Sequence, residues 1–289
     1  MKILAPAKIN LYLEILCRDR NGYHRIETIF QEIGLFDKII LTETARRNVQ
    51  ITCYNEKGKI ITSISNKKNI IYKAVELLRK KSGIQKGVKI EVYKKIPMAA
   101  GLGGGSSDAA AVLKGLNRLW KLAMKKHELT AIARKIGSDV PFFLSGHTAL
   151  GEGYGDIITR LPRMNKRWVL LANPCIEVST KTVYSRISRK LRLTKAINVN
   201  KISAEKAREL LRSNIKKLLF NRLEEVAIID YPVISRLKKY LIANGAVSSL
   251  MSGSGPTVFA FINSRSKGEA LMMGVKKVFG FPSWLVQTR

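Results

Sequence analysis

The sequence has 289 residues, 46% apolar and 25% charged, which is the composition of a globular protein with a sizeable core, more readily two domains than one. No run approaches the roughly 20 apolar residues of a membrane span, and Cys17, Cys53 and Cys175 have no paired spacing for a disulfide framework or a zinc site, so a reduced, cytoplasmic protein is expected. The net charge of +31 is spread along the chain without zinc-finger spacing or an RNA-recognition aromatic motif, so no specific nucleic-acid partner is expected, only non-specific polyanion binding at low salt and a field that suits polyphosphate ligands.

Ile9, Leu11, Leu13 and Ile15 alternate with Lys8, Asn10, Tyr12 and Glu14, which predicts a half-buried strand with Lys8 and Asn10 together on its polar face. The same polar residues interrupt any apolar leader, so a signal peptide is not expected. Asn21-Gly22 signals a tight turn directly before Tyr23 and His24. Short strands are predicted near residues 38–42, 49–53 and 59–62. A helix is predicted over 69–81, with Ile70, Ala74, Leu77 and Leu78 inward and a stop at Gly83.

After a strand at Val88–Val92, the chain reads Pro97, Met98, Ala99, Ala100, Gly101, Leu102, Gly103, Gly104, Gly105, Ser106, Ser107 and Asp108, then alanines. Glycines let backbone N–H groups approach a ligand closely, and Val112, Leu113, Leu116, Leu119 and Trp120 have helical spacing. A loop of N–H groups feeding a helix N-terminus is an anion site. It ends without the Gly-Lys-Ser/Thr of a Walker A loop. It also lacks the third glycine of a dinucleotide fingerprint, and the chain has no His-Arg-Asp or Asp-Phe-Gly triplet of a protein kinase. A flexible linker does not run unbroken from a strand into an apolar-faced helix. One of Ser106 and Ser107 is expected to cap the helix at Asp108, the other to meet phosphate or Mg²⁺.

A second helix carries Leu129, Ile132, Ala133 and Ile136, followed by Gly137-Ser138-Asp139-Val140-Pro141, where Asp139 is either a cap or a carboxylate presented for chemistry. Further on, helices near 180–190, 204–220, 233–243 and 267–279 alternate with strands near 168–172, 247–251, 257–262 and 284–287, the last of which could return to the N-terminal sheet. Residues 186–222 hold 12 basic and 2 acidic residues and match no usable motif. Gly253-Ser254-Gly255 is a tight turn between strands. This mixture of hairpins and helices reads as α+β.

The segment Pro97–Ala111 resembles the phosphate-binding motif of the GHMP kinases (galactose, homoserine, mevalonate and phosphomevalonate kinases). Ala5–Leu13, Asn21–His24, Ile136–Phe143 and Leu250–Phe259 are similar to blocks of the branch that phosphorylates cytidine diphosphate-linked methylerythritol in the non-mevalonate isoprenoid pathway. The resemblance implies a two-domain GHMP kinase fold with the active site in the interdomain cleft, here divided as 1–160 and 161–289 near Leu161-Pro162.

It also implies ATP and Mg²⁺ as cofactors, Asp139 as catalytic base and Lys8 as its partner. ATP would lie on Pro97–Asp108 and near Asn69. The small-molecule substrate would lie on Asn10, Tyr23, His24, Tyr184, Gly253 and Ser254, with Tyr23 and Tyr184 stacking on cytosine and His24 reading its edge. Metal ligands are left unassigned, Asp108 being the one carboxylate beside the loop. A homoserine- or mevalonate-type kinase is the alternative within the superfamily, although neither has a cytosine to read. An RNA-binding protein on a degenerate kinase scaffold is the alternative outside it.

Overall fold

The computed structural model describes residues 1–193 and 201–289. The elements run β1 (Lys2–Arg18), β2 (His24–Thr44), β3 (Val49–Tyr54), α1 (Ile70–Ser82), β4 (Gly87–Tyr93), α2 (Gly104–Leu119), α3 (Lys126–Ile136), α4 (Val140–Ser145), β5 (Thr148–Glu152), β6 (Ile157–Arg160), β7 (Trp168–Ala172), α5 (Thr180–Leu193), α6 (Ala204–Ser213), α7 (Ile215–Leu218), β8 (Phe220–Asn221), α8 (Glu224–Asp230), α9 (Pro232–Ala243), β9 (Ser248–Met251), β10 (Val258–Ile262), α10 (Arg265–Phe279) and β11 (Ser283–Gln287). The α+β reading holds.

The chain forms two compact units, each assembled from segments that are discontinuous in sequence. One unit comprises Met1–Ala7, Leu35–Met98 and Gly103–Gly146; the other comprises Lys8–Gly34, Ala99–Leu102 and His147–Arg289. The reason is the length of β1 and β2, 17 and 21 residues, so that each contributes to both units.

In the first unit, β2 from Lys38 to Thr44 pairs antiparallel with β4, and β3 lies parallel to β4. Helices α1–α4 pack among themselves, burying Val75, Leu78, Leu113, Leu116, Ile132 and Phe142. The predicted ends of α1 are correct: Asn69 caps its start through a bond from the Ile71 N–H, and Gly83 ends it at φ 73°. Residues 59–62 make no strand; a 3-10 turn covers Thr62–Ile64 and a lone bridge joins Tyr54 to Ile60.

In the second unit, Thr28–Gln31 of β2 pair with β5, β5 pairs with β6, and Tyr12-Leu13 of β1 pair in parallel with β8. A separate antiparallel sheet has the order β11-β7-β10-β9. Its core gathers Leu170, Ile234, Leu237, Leu241, Val258 and Leu271. The last strand therefore pairs with β7, and only Thr288 makes a bridge to Ile33.

Two further expectations fail for physical reasons. The polar face of β1 is covered, leaving Lys8 4%, Asn10 2% and Glu14 0% exposed. The helix predicted over 204–220 breaks at Asn214, whose φ of −152° leaves the helical region. Part of the basic stretch 186–222, residues 194–200, lies outside the described residues.

Candidate active site

The glycine loop leaves β4 at Lys94 and enters α2 at Gly104. The helix starts four residues earlier than Asp108 because Gly103, at φ 69°, makes the left-handed turn into it. Neither serine is the N-cap, then; both lie in the first turn, which has no acidic residue and no side-chain cap. Uncapped N–H groups at the positive end of a 16-residue helix form an anion site. The Ser107 hydroxyl is buried there without a hydrogen-bond partner.

Asp108 faces inward. Its Oδ2 accepts from the Lys94 ammonium at 2.7 Å, and Lys94 also donates to Asp37. Asp37 Oδ1 accepts the backbone N–H groups of Lys95 (2.6 Å) and Ile96 (2.9 Å), fixing the chain as it enters the loop. Burial and the charge of Asp37 push Asp108 up to about 7 against the pull of Lys94. This carboxylate serves the loop's base.

Within the second unit, the Lys8 Nζ donates to Asn10 Oδ1 at 2.5 Å and to the Gly101 carbonyl at 3.0 Å. Asn10 Nδ2 donates in turn to Thr28 Oγ1 (2.7 Å), whose hydroxyl donates to the Tyr12 carbonyl (2.7 Å). Ser252 Oγ donates to the same Gly101 carbonyl at 2.9 Å. A Cβ on Gly253 would stand 3.2 Å from Asn10 Oδ1 and 3.4 Å from Lys8 Nζ. Lys8, Asn10, Gly101 and Gly253, distant in sequence, thus form one cluster. Ser254 Oγ lies 2.9 Å from the Thr180 hydroxyl at the start of α5.

The aromatic residues form two ring pairs. His24 packs on Tyr184 at 5.1 Å between centroids, tilted by 42°, and Tyr23 packs on Tyr154 at 5.7 Å. Tyr23 is 66% exposed. Burial, then the Arg18 charge, holds the His24 imidazole below the usual range. Tyr154, missed in the sequence, donates its hydroxyl to Asp19 (2.7 Å) and accepts from Asn21 (2.9 Å). Its place in Gly153-Tyr154-Gly155 carried no signal beyond a turn.

In the first unit, Asp139 precedes α4 in helical backbone conformation, half-buried, and its side chain does not cap that helix. Asn69 Oδ1 makes the α1 cap, and both its amide hydrogens are committed, to the Ile64 carbonyl (2.7 Å) and the Cys53 sulfur (3.6 Å). Among the described residues, no three His, Cys, Asp or Glu side chains gather as a metal site, and no helix is long and apolar enough to cross a membrane.

Comparison with known proteins identifies the family. The GHMP kinases N terminal domain matches residues 69–147, and the GHMP kinases C terminal domain matches 200–279. A 4-diphosphocytidyl-2-C-methyl-D-erythritol kinase of Listeria innocua is 39% identical over 96% of this chain and 92% of its own. One of Caldicellulosiruptor bescii is 40% identical over 96% of each. The crystal structure of a 4-(cytidine 5'-diphospho)-2C-methyl-D-erythritol kinase superposes with a TM-score of 0.81 at 29% identity, covering 100% of this chain and 99% of that one. The chain belongs to the 4-diphosphocytidyl-2-C-methyl-D-erythritol kinase family of the GHMP kinases.

Proposed function

We propose that this chain transfers the γ-phosphoryl group of ATP to the 2-hydroxyl of 4-diphosphocytidyl-2-C-methyl-D-erythritol, in the cytoplasm, within the non-mevalonate route to isoprenoid precursors. The observation that carries the reading is the buried Lys8 ammonium, fixed on the Gly101 carbonyl of the glycine loop and on Asn10. A buried ammonium placed by amide oxygens favours negative charge beside it, and a transferring phosphoryl group supplies that charge.

In this mechanism the Asp139 carboxylate takes the proton as the substrate O–H bond breaks. The freed oxygen forms its bond to the γ-phosphorus while the bond from phosphorus to the ADP oxygen breaks. Lys8 stabilises the charge that develops during transfer, and Asn10 and Gly253 limit where the acceptor can lie. The phosphates rest on N–H groups of residues 101–108, with the first turn of α2 opposing their charge. Mg²⁺ would neutralise phosphate oxygens there and would take few protein ligands, since phosphates supply the rest; the hydroxyls of Ser106 and Ser107 in the first turn of α2 are the ones that would hold it. For Asn69 the part is indirect: with its amide committed, it shapes the adenine pocket by holding the start of α1.

His24 and Tyr184 already pack on each other, tilted by 42°, and with Tyr23 they offer aromatic faces and a neutral imidazole to a pyrimidine. Base–aromatic stacking contributes about 1–3 kcal/mol. The test is ADP release over an acceptor panel: the cytidyl substrate, its uridyl analogue, mevalonate and homoserine. The reading requires turnover of the cytidyl compound alone. Comparable turnover of mevalonate or homoserine would move the chain to another branch of the superfamily.

A further inference from the structure

Strand β8 is two residues long, yet backbone and side-chain bonds tie it to its neighbours on several sides. Its backbone pairs with β1 at Tyr12 and Leu13, and the Arg222 N–H donates to the Leu13 carbonyl at 2.8 Å. The Arg222 guanidinium closes a two-pronged pair on the fully buried Glu14, 2.7 Å at each contact, and lies over the Phe220 ring. The segment is therefore tied to β1, the strand that carries Lys8 and Asn10.

From that fixed base the Asn221 side chain, 4% exposed, reaches the turn after β9. Its Nδ2 donates to both the Met251 and Gly253 carbonyls at 2.8 Å, and its Oδ1 accepts from the Leu223 N–H at 3.0 Å. All three of these amide bonds are buried. Three residues on, Glu224 accepts the Met251 N–H at 2.7 Å. The turn so held is the one whose Gly253 lies against Lys8 and Asn10 and whose Ser252 hydroxyl grips Gly101.

We infer that Asn221 is a positioning residue for phosphoryl transfer, setting the distance between the Met251–Gly253 turn and the Lys8–Asn10 pair. One strand thus places both sides of the cluster: β1 carries the lysine directly, and through β8 and Asn221 it carries the turn that confines it. The inference rests on the kinase reading for its catalytic consequence, although the clamp itself is a statement about geometry.

The test uses the full-length protein and two variants. Asn221→Asp keeps the size and the acceptor for Leu223 but turns both donors into acceptors facing carbonyls. Asn221→Ser keeps one donor on a shorter arm and stands in if the first does not fold. Turnover is expressed per folded molecule, the folded fraction coming from near-UV circular dichroism.

The expected result is a fall in kcat of tenfold or more, with KM for ATP within threefold of the parent. Each variant combined with Lys8→Ala should lose no more than a further twofold, because both changes disturb one group. Independently of activity, amide hydrogen exchange in peptides covering 251–255 should quicken at least tenfold while β7 and β10 stay protected. Unchanged exchange in the turn overturns the clamp. Losses that multiply with Lys8→Ala, or turnover within twofold of the parent, overturn its catalytic role. A parent protein inactive on the cytidyl alcohol refutes the functional reading instead, and the exchange data then decide the clamp alone.

Discussion

Replacing Gly101 with alanine separates two costs that usually arrive together. Gly101 has φ 74°, and a Cβ there would lie 2.0 Å from the Ser252 carbonyl oxygen and 3.2 Å from the Gly255 nitrogen. Gly280, which ends α10 at φ 71°, would meet nothing within 4 Å. A left-handed backbone costs an ordinary residue about 1–2 kcal/mol, and Gly280→Ala should cost only that. At Gly101 the obstructing atoms are backbone, which cannot rotate away, so overpacking adds about 1–3 kcal/mol. The total of about 2–5 kcal/mol is a large share of the roughly 5–15 kcal/mol that holds a domain together. Urea unfolding of both variants measures the difference, since a shift in midpoint at constant slope reports stability. Gly101→Ala should also lose turnover, because the carbonyl that holds Lys8 and Ser252 must move. Equal destabilisation of the two variants, within about 0.5 kcal/mol, would refute the claimed contact between the glycine loop and the Ser252 turn.

Other outcomes follow from the same geometry. Asp139→Asn should lower kcat by about 10²–10⁴-fold, the usual scale for a positioned acid–base group, with ATP affinity by calorimetry little changed. Lys8→Ala should do likewise, and the double variant should lose far less than the product of the two. His24→Ala should raise KM for the cytidyl substrate by the equivalent of about 1–3 kcal/mol and leave KM for ATP unmoved; equal use of cytidyl and uridyl compounds by the native protein would remove base reading from this residue. Because burial depresses the His24 pKa, the imidazole stays neutral at pH 7, and its contribution to stability, present above the ordinary histidine value, is lost as pH falls through the depressed one; its ring resonances should titrate below 6.5, followed by NMR. Lys94→Met should destabilise by about 3–5 kcal/mol, leaving Asp37 and Asp108 uncompensated, while Asp108→Asn, which removes a charge that burial already resists, should cost clearly less in the same urea assay.

What the sequence made readable was local chemistry. Gly101, Gly103 and the alanines after Asp108 announce a tight loop feeding a helix because glycine φ and helical spacing are properties of neighbours. Asn69 and Gly83 bracket α1 for the same reason. Contacts closed by tertiary packing were not readable: Lys94 meets Asp37 across 57 residues, and nothing near either one signals the other. Lys8 and Asn10 were expected on an open strand face, since period two shows which side chains share a face but not what covers it. Asn221 lies just past the helix predicted over 204–220, and its partners Met251 and Gly253 are 30 and 32 residues away, so nothing near it signals the contact.

The distribution of β1 and β2 between two units has a consequence for the order in which this chain can fold during synthesis. The first unit is complete once Gly146 has emerged, whereas Lys8–Gly34, made among the earliest residues, belongs to a unit that also needs His147–Arg289. Glu14 waits through 208 residues of elongation for Arg222, about 10–40 s at ordinary ribosomal rates. Throughout that interval Leu13 and Ile15, core residues of the finished second unit, lack the partners that bury them. Chaperone demand should therefore peak between the release of residue 146 and that of residue 222, and a stalled nascent chain of about 180 residues is the species in which to look for it.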